Sequence, residues 1–415
     1  MTETFDTAYE ACLDDDAQRL YRLLSRHPGP DITPSAAAAL IDTTEQAATL
    51  LLEQLVEFHL LQEEQGRYFF GDLAYDHACA TAKKYESKDD PLEAFTRLAY
   101  WYLRRATAAQ RAVIPDRWYL GRVFTEPLAV EFDEITALEW SAVERHNLLA
   151  IIDVAHKLGL HTVAWQIAEA MWALFVRRRH YDTWVSAYEI GYKAALTAGD
   201  LEAQAHMLQG QASAWLGRCH FGHAKALSAQ ALELAMVSGH RHAEATSLGL
   251  LGRVHLGREE HADAVDHFDA AREIYRELGD ERGVFLMTRH KGEAELAAGN
   301  YRQAEIHLDA VERWCRQANE PYLLSRCLGP LGRLFRLTFR YSEAGSALQH
   351  ALELSRKTGA HQQQAEILVE LADLADDTGE TDLEQRDLRE AHAIYAELGA
   401  LEAAAVADRL LPETE

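Results

Sequence analysis

Apolar positions along the second half of the chain recur with helical spacing, and the helical stretches stop at a fixed beat. Gly159, Gly199, Gly239, Gly279, Asn319, Gly359 and Gly399 stand 40 residues apart. Gly and Asn tolerate the left-handed conformation that closes a helix, so this column predicts helix ends. Ala212, Gly252, Gly292, Gly332 and Ala372 place a small residue mid-helix in the same register, followed twelve positions later by Ala224, Ala264, Ala304 and Ala344. Small residues at these points let paired helices approach closely. Phe268, Leu308, Leu348 and Leu388, then Ala271, Val311, Ala351 and Ala391, continue one apolar face along the second helix. Each unit therefore reads as a helix, a turn such as Gly257-Arg258 or Gly299-Asn300, a second helix and a glycine stop.

This pattern resembles the tetratricopeptide repeat (TPR), lengthened to 40 residues. Six units tile residues 160–399, followed by a capping helix from Ala400 to Leu411. Units that cannot bury an apolar face alone stack on their neighbours. The resemblance implies a right-handed superhelix with the first helix of every pair on the concave side.

The first 160 residues break the period. Residues Ala17 to Ser25 read as a helix, Thr33-Pro34 as an N-cap with Pro at the first helical position, and Thr44 to Leu61 as a longer amphipathic helix. The aromatic run Arg67-Tyr68-Phe69-Phe70 reads as a short strand. Three helices and a strand wing suggest a winged-helix domain. Such domains place a helix in the major groove of DNA, yet between Asp31 and Gly71 a single basic residue, Arg67, faces seven acids. A helix carrying Glu45, Glu53 and Glu57 without Lys or Arg has nothing to neutralise phosphate. A packing module is the expectation, and DNA binding is not.

The stretch Leu50 to Leu73, with Leu55-Val56-Glu57-Phe58-His59-Leu60-Leu61 and Arg67-Tyr68-Phe69-Phe70-Gly71-Asp72-Leu73, resembles the winged helix that follows the nucleotide-binding domain in actinobacterial signal-transduction ATPases of the STAND class, related to antibiotic regulatory proteins. Leu138-Glu139-Trp140 and Glu144-Arg145-His146-Asn147-Leu148 resemble that family's connector, and the 40-residue units its sensor repeats. Gly71 departs from the family's usual His. No GxxxxGK[ST] segment occurs in the chain, so the phosphate cradle behind nucleotide switching is not expected here. The resemblance implies the sensor and partner-binding half of a regulator of a biosynthetic pathway. The expected class is all-α: a winged-helix-like domain over 1–85, a helical connector over 86–159, a TPR-like solenoid over 160–399, and a capping helix and tail over 400–415.

Composition narrows the partners. Lys and Arg number 41 against 66 Asp and Glu, a formal charge of −25, which repels nucleic-acid backbones unless basic groups are concentrated on one face. No export signal or membrane span is readable, and the five cysteines are scattered and odd in number, so a reducing, cytoplasmic setting is expected.

Helical spacing from the small mid-helix residues turns Arg253, Arg289, Arg326, Arg333 and Arg336 toward the groove, with Glu293 among them. Arginine forks bind carboxylates and phosphates, so an acidic peptide, a partner protein or an acidic small molecule is the expected occupant. Pairing with Glu and Asp of neighbouring repeats is the competing expectation. Glu366, Asp373, Asp376 and Asp377 make the far end acidic. Cys219-His220-x-x-His223 and His240-x-His242 fall at turns without a closed ligand set, so no metal and no cofactor are expected. Neither a GxSxG elbow nor a dinucleotide loop is present. A non-enzymatic adaptor or regulator is the leading expectation; an enzyme of specialised metabolism on the repeat scaffold and a winged-helix transcription factor are its rivals.

Overall fold

The computed structural model describes residues 2–85, 90–128 and 131–410. The expected start of the connector at residue 86 and the tail from residue 411 lie outside the described residues.

The repeat is finer than its glycines indicate. From Gly159 to Gly399 a residue with positive φ stands at every twentieth position, because Arg179, Cys219, Glu259, Gly299, Phe339 and Gly379 alternate with the Gly and Asn column. Each helix of a pair thus ends in a left-handed residue after nearly the same length. In the turn after Arg241–Gly257 the left-handed residue is Glu259, not Gly257. The pairs are Leu201–Gly217 with Phe221–Ser238, Arg241–Gly257 with His261–Leu278, Glu281–Ala297 with Tyr301–Gln317, Pro321–Leu337 with Tyr341–Lys357, and His361–Thr378 with Thr381–Leu398.

The first pair departs from the pattern. Its leading helix is split into His161–Ala170 and Trp172–Arg178 before Tyr181–Ala198 follows. The buried Gln110 side chain reaches in from the connector, and its Oε1 accepts the Ala173 N–H at 2.6 Å. A side chain inserted into the hydrogen-bond ladder is a sufficient cause for a helix break. After Gly399 the chain forms a short helix, Glu402–Ala407, ending sooner than the expected Leu411.

Within each pair the small mid-helix residue receives a large side chain from the second helix. A Cβ at Gly252 would lie 2.6 Å from the Phe268 ring, and one at Gly332 would lie 2.5 Å from Leu348. Phe268 and Leu348 are fully buried. The spacing read from the sequence is thus a knob entering a hole.

The N-terminal segment has Asp15–Leu24, Pro34–Ile41 and Glu45–Glu57, then an antiparallel hairpin of Gln62–Glu64 and Arg67–Phe69 that an Ile32–Tyr68 bridge extends. This is the element order of a winged helix. Thr33 and Thr44 cap their helices, accepting from Ala36 N–H and Ala47 N–H. Glu45, Glu53 and Glu57 are exposed, and Arg67 is engaged internally. Its guanidinium pairs with Asp31 and, at 2.7 Å, with the buried Glu144 of the connector. Glu144 also accepts from Asn147 at 2.7 Å and from Tyr102 at 3.2 Å.

The superhelix curls until its ends meet. Tyr322 Oη donates to the Val176 carbonyl at 3.4 Å, the Arg177 guanidinium lies 3.3 Å above the Tyr322 ring, and Trp172–Arg178 packs on His361–Thr378. Connector residue Leu138 reaches Gly359, where a Cβ would touch it at 3.4 Å.

This packing sets the outcome of four substitutions. Gly252→Ala gains about 1 kcal/mol of helix propensity but overpacks against Phe268 at about 1–3 kcal/mol, so urea denaturation should show a net loss of stability. Gly222→Ala, with open space around it, should stabilise, as should Phe339→Gly by relieving a left-handed cost of about 1 kcal/mol. Arg67→Ala strands the buried Glu144 carboxylate and should cost about 3–5 kcal/mol; an unchanged urea midpoint would refute the pinning of the hairpin to the connector.

Candidate functional site

The first helices of the second to fifth pairs line the concave side and, with the connector segment Ile114–Trp118, bound a cavity of about 200 Å³. The connector segment is built into the groove. The fully buried Glu169 carboxylate accepts Leu120 N–H at 2.8 Å and Gly121 N–H at 2.9 Å, and lies 3.1 Å from His206 Nε2. Burial would raise this carboxyl, but His206, Arg117 and the Leu120 N–H outweigh it and hold Glu169 below its ordinary value. So anchored, the segment lays Trp118 across two repeats. Its ring stacks on His242 at 4.3 Å and meets His206 edge-on at 6.1 Å, while Arg117 sits 4.4 Å above Trp172. Trp118, His242 and Asp280 also border an outer recess, so this ring stands between the cavity and the exterior.

The sequence-derived arginines divide into two groups. Arg253 and Arg326 line the cavity, with Arg289 buried beside them. Arg289 pairs with Glu293 and contacts the His290 ring at 3.1 Å. Arg253 has no hydrogen bond or ion pair among the described residues, and Arg326 has no carboxylate within ion-pair distance; it lies beside the Tyr322 ring, 5.9 Å from its centre. Arg333 and Arg336 go elsewhere. Arg336 bridges to Asp377 at 3.1 Å and Asp373 at 3.2 Å, and the half-exposed Arg333 approaches Glu370 at 3.9 Å. These two sit where the acids of the last repeat come within reach. Arg333 borders a second cavity of about 370 Å³ with Glu293, Glu366 and Glu370.

Two further arginines join the first group because the superhelix curls. Arg177 and Arg179, from the run Arg177-Arg178-Arg179, approach Tyr322 from the first repeat. Burial would raise the Tyr322 phenol, yet Arg326, Arg177, Arg179 and Arg289 together hold it below its ordinary value. Burial, then Arg326, Arg179 and Arg289, pulls Arg253 down to about 9. Crowded and poorly solvated positive charge is the cause of that lowering. The three-arginine run was the available signal for Arg177 and Arg179; the meeting of neighbouring Val176 with Tyr322 across 146 residues had none.

His255 Nδ1 lies 2.6 Å from Glu260, with Asp263 at 3.9 Å, but Glu260 is shared with Arg258 at 3.0 Å in a partly exposed turn. This grouping is remote from the cavity lining.

No family model matches the chain. Over 99 % of this chain, the regulatory protein AfsR of Streptomyces griseus is 26 % identical, and the match covers 45 % of that protein. AfsR of Streptomyces coelicolor is 36 % identical over 156 residues, 36 % of this chain and 16 % of that protein. The chain is a relative of AfsR-type regulatory proteins. It spans less than half the length of these relatives. Similar solved structures include aspartyl phosphate phosphatase F from Bacillus subtilis (12 % identity, TM-score 0.49, covering 96 % of this chain and 91 % of that one). A Rap protein complexed with competence and sporulation factor has 13 % identity and TM-score 0.48, covering 77 % and 97 %. The signal transduction ATPase with a tetratricopeptide repeat sensor from Pyrococcus horikoshii has 15 % identity and TM-score 0.44, covering 99 % and 67 %. Among the described residues no helix is long and apolar enough to cross a membrane.

Three histidines set the acid limit of the fold. Burial lowers His27 and His180 from 6.5 to about 4, and burial with Arg289 lowers His290 to about 3. The unfolded chain takes up these protons near pH 6.5 while the folded chain does not, so stability falls as pH drops from about 6.5 toward 4. Thermal melts from pH 7.5 to 5 should show this decline above the carboxylate range. His180→Gln should flatten it.

Proposed function

We propose that the chain is a ligand-responsive module of a bacterial regulator, in which the cavity at Arg253 and Arg326 takes an anion. The relationship to AfsR supports regulation as the setting, and control of a biosynthetic pathway is the corresponding role. One observation carries the anion: on a chain of net charge −25, Arg253 is kept in a crowded basic recess with no partner of its own. Leaving such a group uncompensated costs stability. A structural role would have supplied a carboxylate, as Arg336 has received from Asp373 and Asp377.

Of the occupants expected from the sequence, a small acidic ligand suits this cavity best. The groove is closed at one side by Tyr322 on Val176 and Arg177, and filled at another by Asp116–Trp118. An extended peptide needs a continuous channel. Among the cavity-lining groups, His290 is held to about 3, which favours binding over acid-base chemistry at that position. General acids and bases work best with values near the operating pH.

The reading has a signed test. Arg253→Met removes an uncompensated charge at similar volume, so the variant should be more stable than the parent by about 1 kcal/mol or more. It should also lose binding of inorganic phosphate in isothermal titration calorimetry. A stabilised variant that binds phosphate as the parent does would overturn the assignment of Arg253, whereas a destabilised one would mark a structural arginine.

A further inference from the structure

The same cavity has a second chemical layer, which says what the anion is attached to. Three neighbouring first helices each carry a leucine three residues before an arginine: Leu250 and Arg253, Leu286 and Arg289, Leu323 and Arg326. All three leucines line the cavity. Residues three apart share a helix face one turn from each other, about 5–6 Å between Cβ atoms. The three pairs stand 36 and 37 residues apart rather than 40, so they do not share one register position, but each places a leucine of the cavity's apolar lining within one turn of an arginine.

Glycines let large side chains pack into the cavity wall. Gly249 and Gly283 line the cavity without side chains, and a Cβ there would come within 2.8 Å of Met287 Sδ and 2.5 Å of the Tyr275 ring, respectively. Size then limits the occupant. An apolar protein cavity of about 150 Å³ already accepts benzene, and this one measures about 200 Å³. One ring with one substituent fits that space.

We propose that the ligand is a single-ring aromatic acid, its carboxylate or phosphate held between Arg253 and Arg326 and its ring against Leu250, Leu286 and Met287. This rests on the anion reading above and specifies it. Trp118, stacked on His242 between the cavity and the outer recess, forms the wall past which such a ligand enters. Neither half of the molecule suffices. The ring alone leaves the arginines unanswered, and the anion alone leaves the apolar layer unfilled.

The test is calorimetric titration of the full chain with benzoate and phenyl phosphate, beside acetate and inorganic phosphate as anions without a ring and benzamide as a ring without charge. Burial of a ring is worth about tenfold to a hundredfold in affinity, so each aromatic acid should bind at least about tenfold more tightly than its ringless counterpart and than benzamide. The better of the two aromatic acids tells carboxylate from phosphate. Leu286→Asn should erase most of the ring's advantage, read as the ratio of phenyl phosphate to inorganic phosphate affinity in the same variant, with thermal melting as the check that the variant folds. Equal affinity for ringless and aromatic anions, both lost in Arg253→Met, would overturn the aromatic assignment and leave the anion reading standing. Binding of benzamide as tight as benzoate would overturn it from the other side. No binding of any anion would fail both readings together.

Discussion

A left-handed residue at every twentieth position is the constraint on which the architecture rests. Because each helix closes after nearly the same length, each following helix starts in the same orientation, and side chains at equivalent positions fall into rows along the solenoid. The rows matter more than the individual contacts. Gly252 admits Phe268 and Gly332 admits Leu348 through one geometry, at positions that share one register. Holding Arg179, Glu259 and Phe339 at positive φ costs about 1–2 kcal/mol each. That cost persists because the helices on either side fix the turn.

Curvature turns those rows into a chamber. A straight stack would leave Arg253, Arg289 and Arg326 spread along an open wall in water. Here the first repeat returns to meet the fifth, so Val176, Arg177 and Tyr322 are in contact although far apart in the chain. Arg177 and Arg179 enter a basic group that three other repeats have already begun. Arg177 is answered twice, by Glu134 at 2.9 Å and by the Tyr322 ring face against its guanidinium. The repulsion is left in place around Arg253.

The sequence made the solenoid legible because Gly and Asn report backbone conformation directly, whereas Arg179, Cys219, Glu259 and Phe339 adopt the same conformation without announcing it. Half of the twenty-residue beat was therefore hidden. Groove-facing residues were legible by helical spacing from the small residues, which correctly turned Arg253 and Arg326 inward. Spacing carries no information about what the opposite wall presents. Arg336 is taken up by Asp373 and Asp377, and Arg333 approaches Glu370. Trp118 and Glu169 were illegible for another reason: the connector has no repeat register, and its insertion depends on a fully buried carboxylate that looks like any other Glu in a helix.

The inserted connector also links the chamber to the rest of the chain. Gln110 holds the break before Ala173, Glu169 holds the backbone at Leu120 and Gly121, and Trp118 spans the second and third repeats. Upstream of this segment runs Pro91–Val113, which packs against Pro34–Ile41 of the winged helix and against the first repeat. Any occupant that shifts Trp118 thus pulls on a segment anchored at both ends, one anchor lying in the repeats and the other beside the N-terminal module. Because Arg67 and Glu144 pin the hairpin of that module to the same connector, displacement has few soft joints in which to dissipate. The cavity, its wall made by a non-repeat tryptophan and the stiffly held connector thus form one continuous stretch of packing from Pro34–Ile41 to the third repeat.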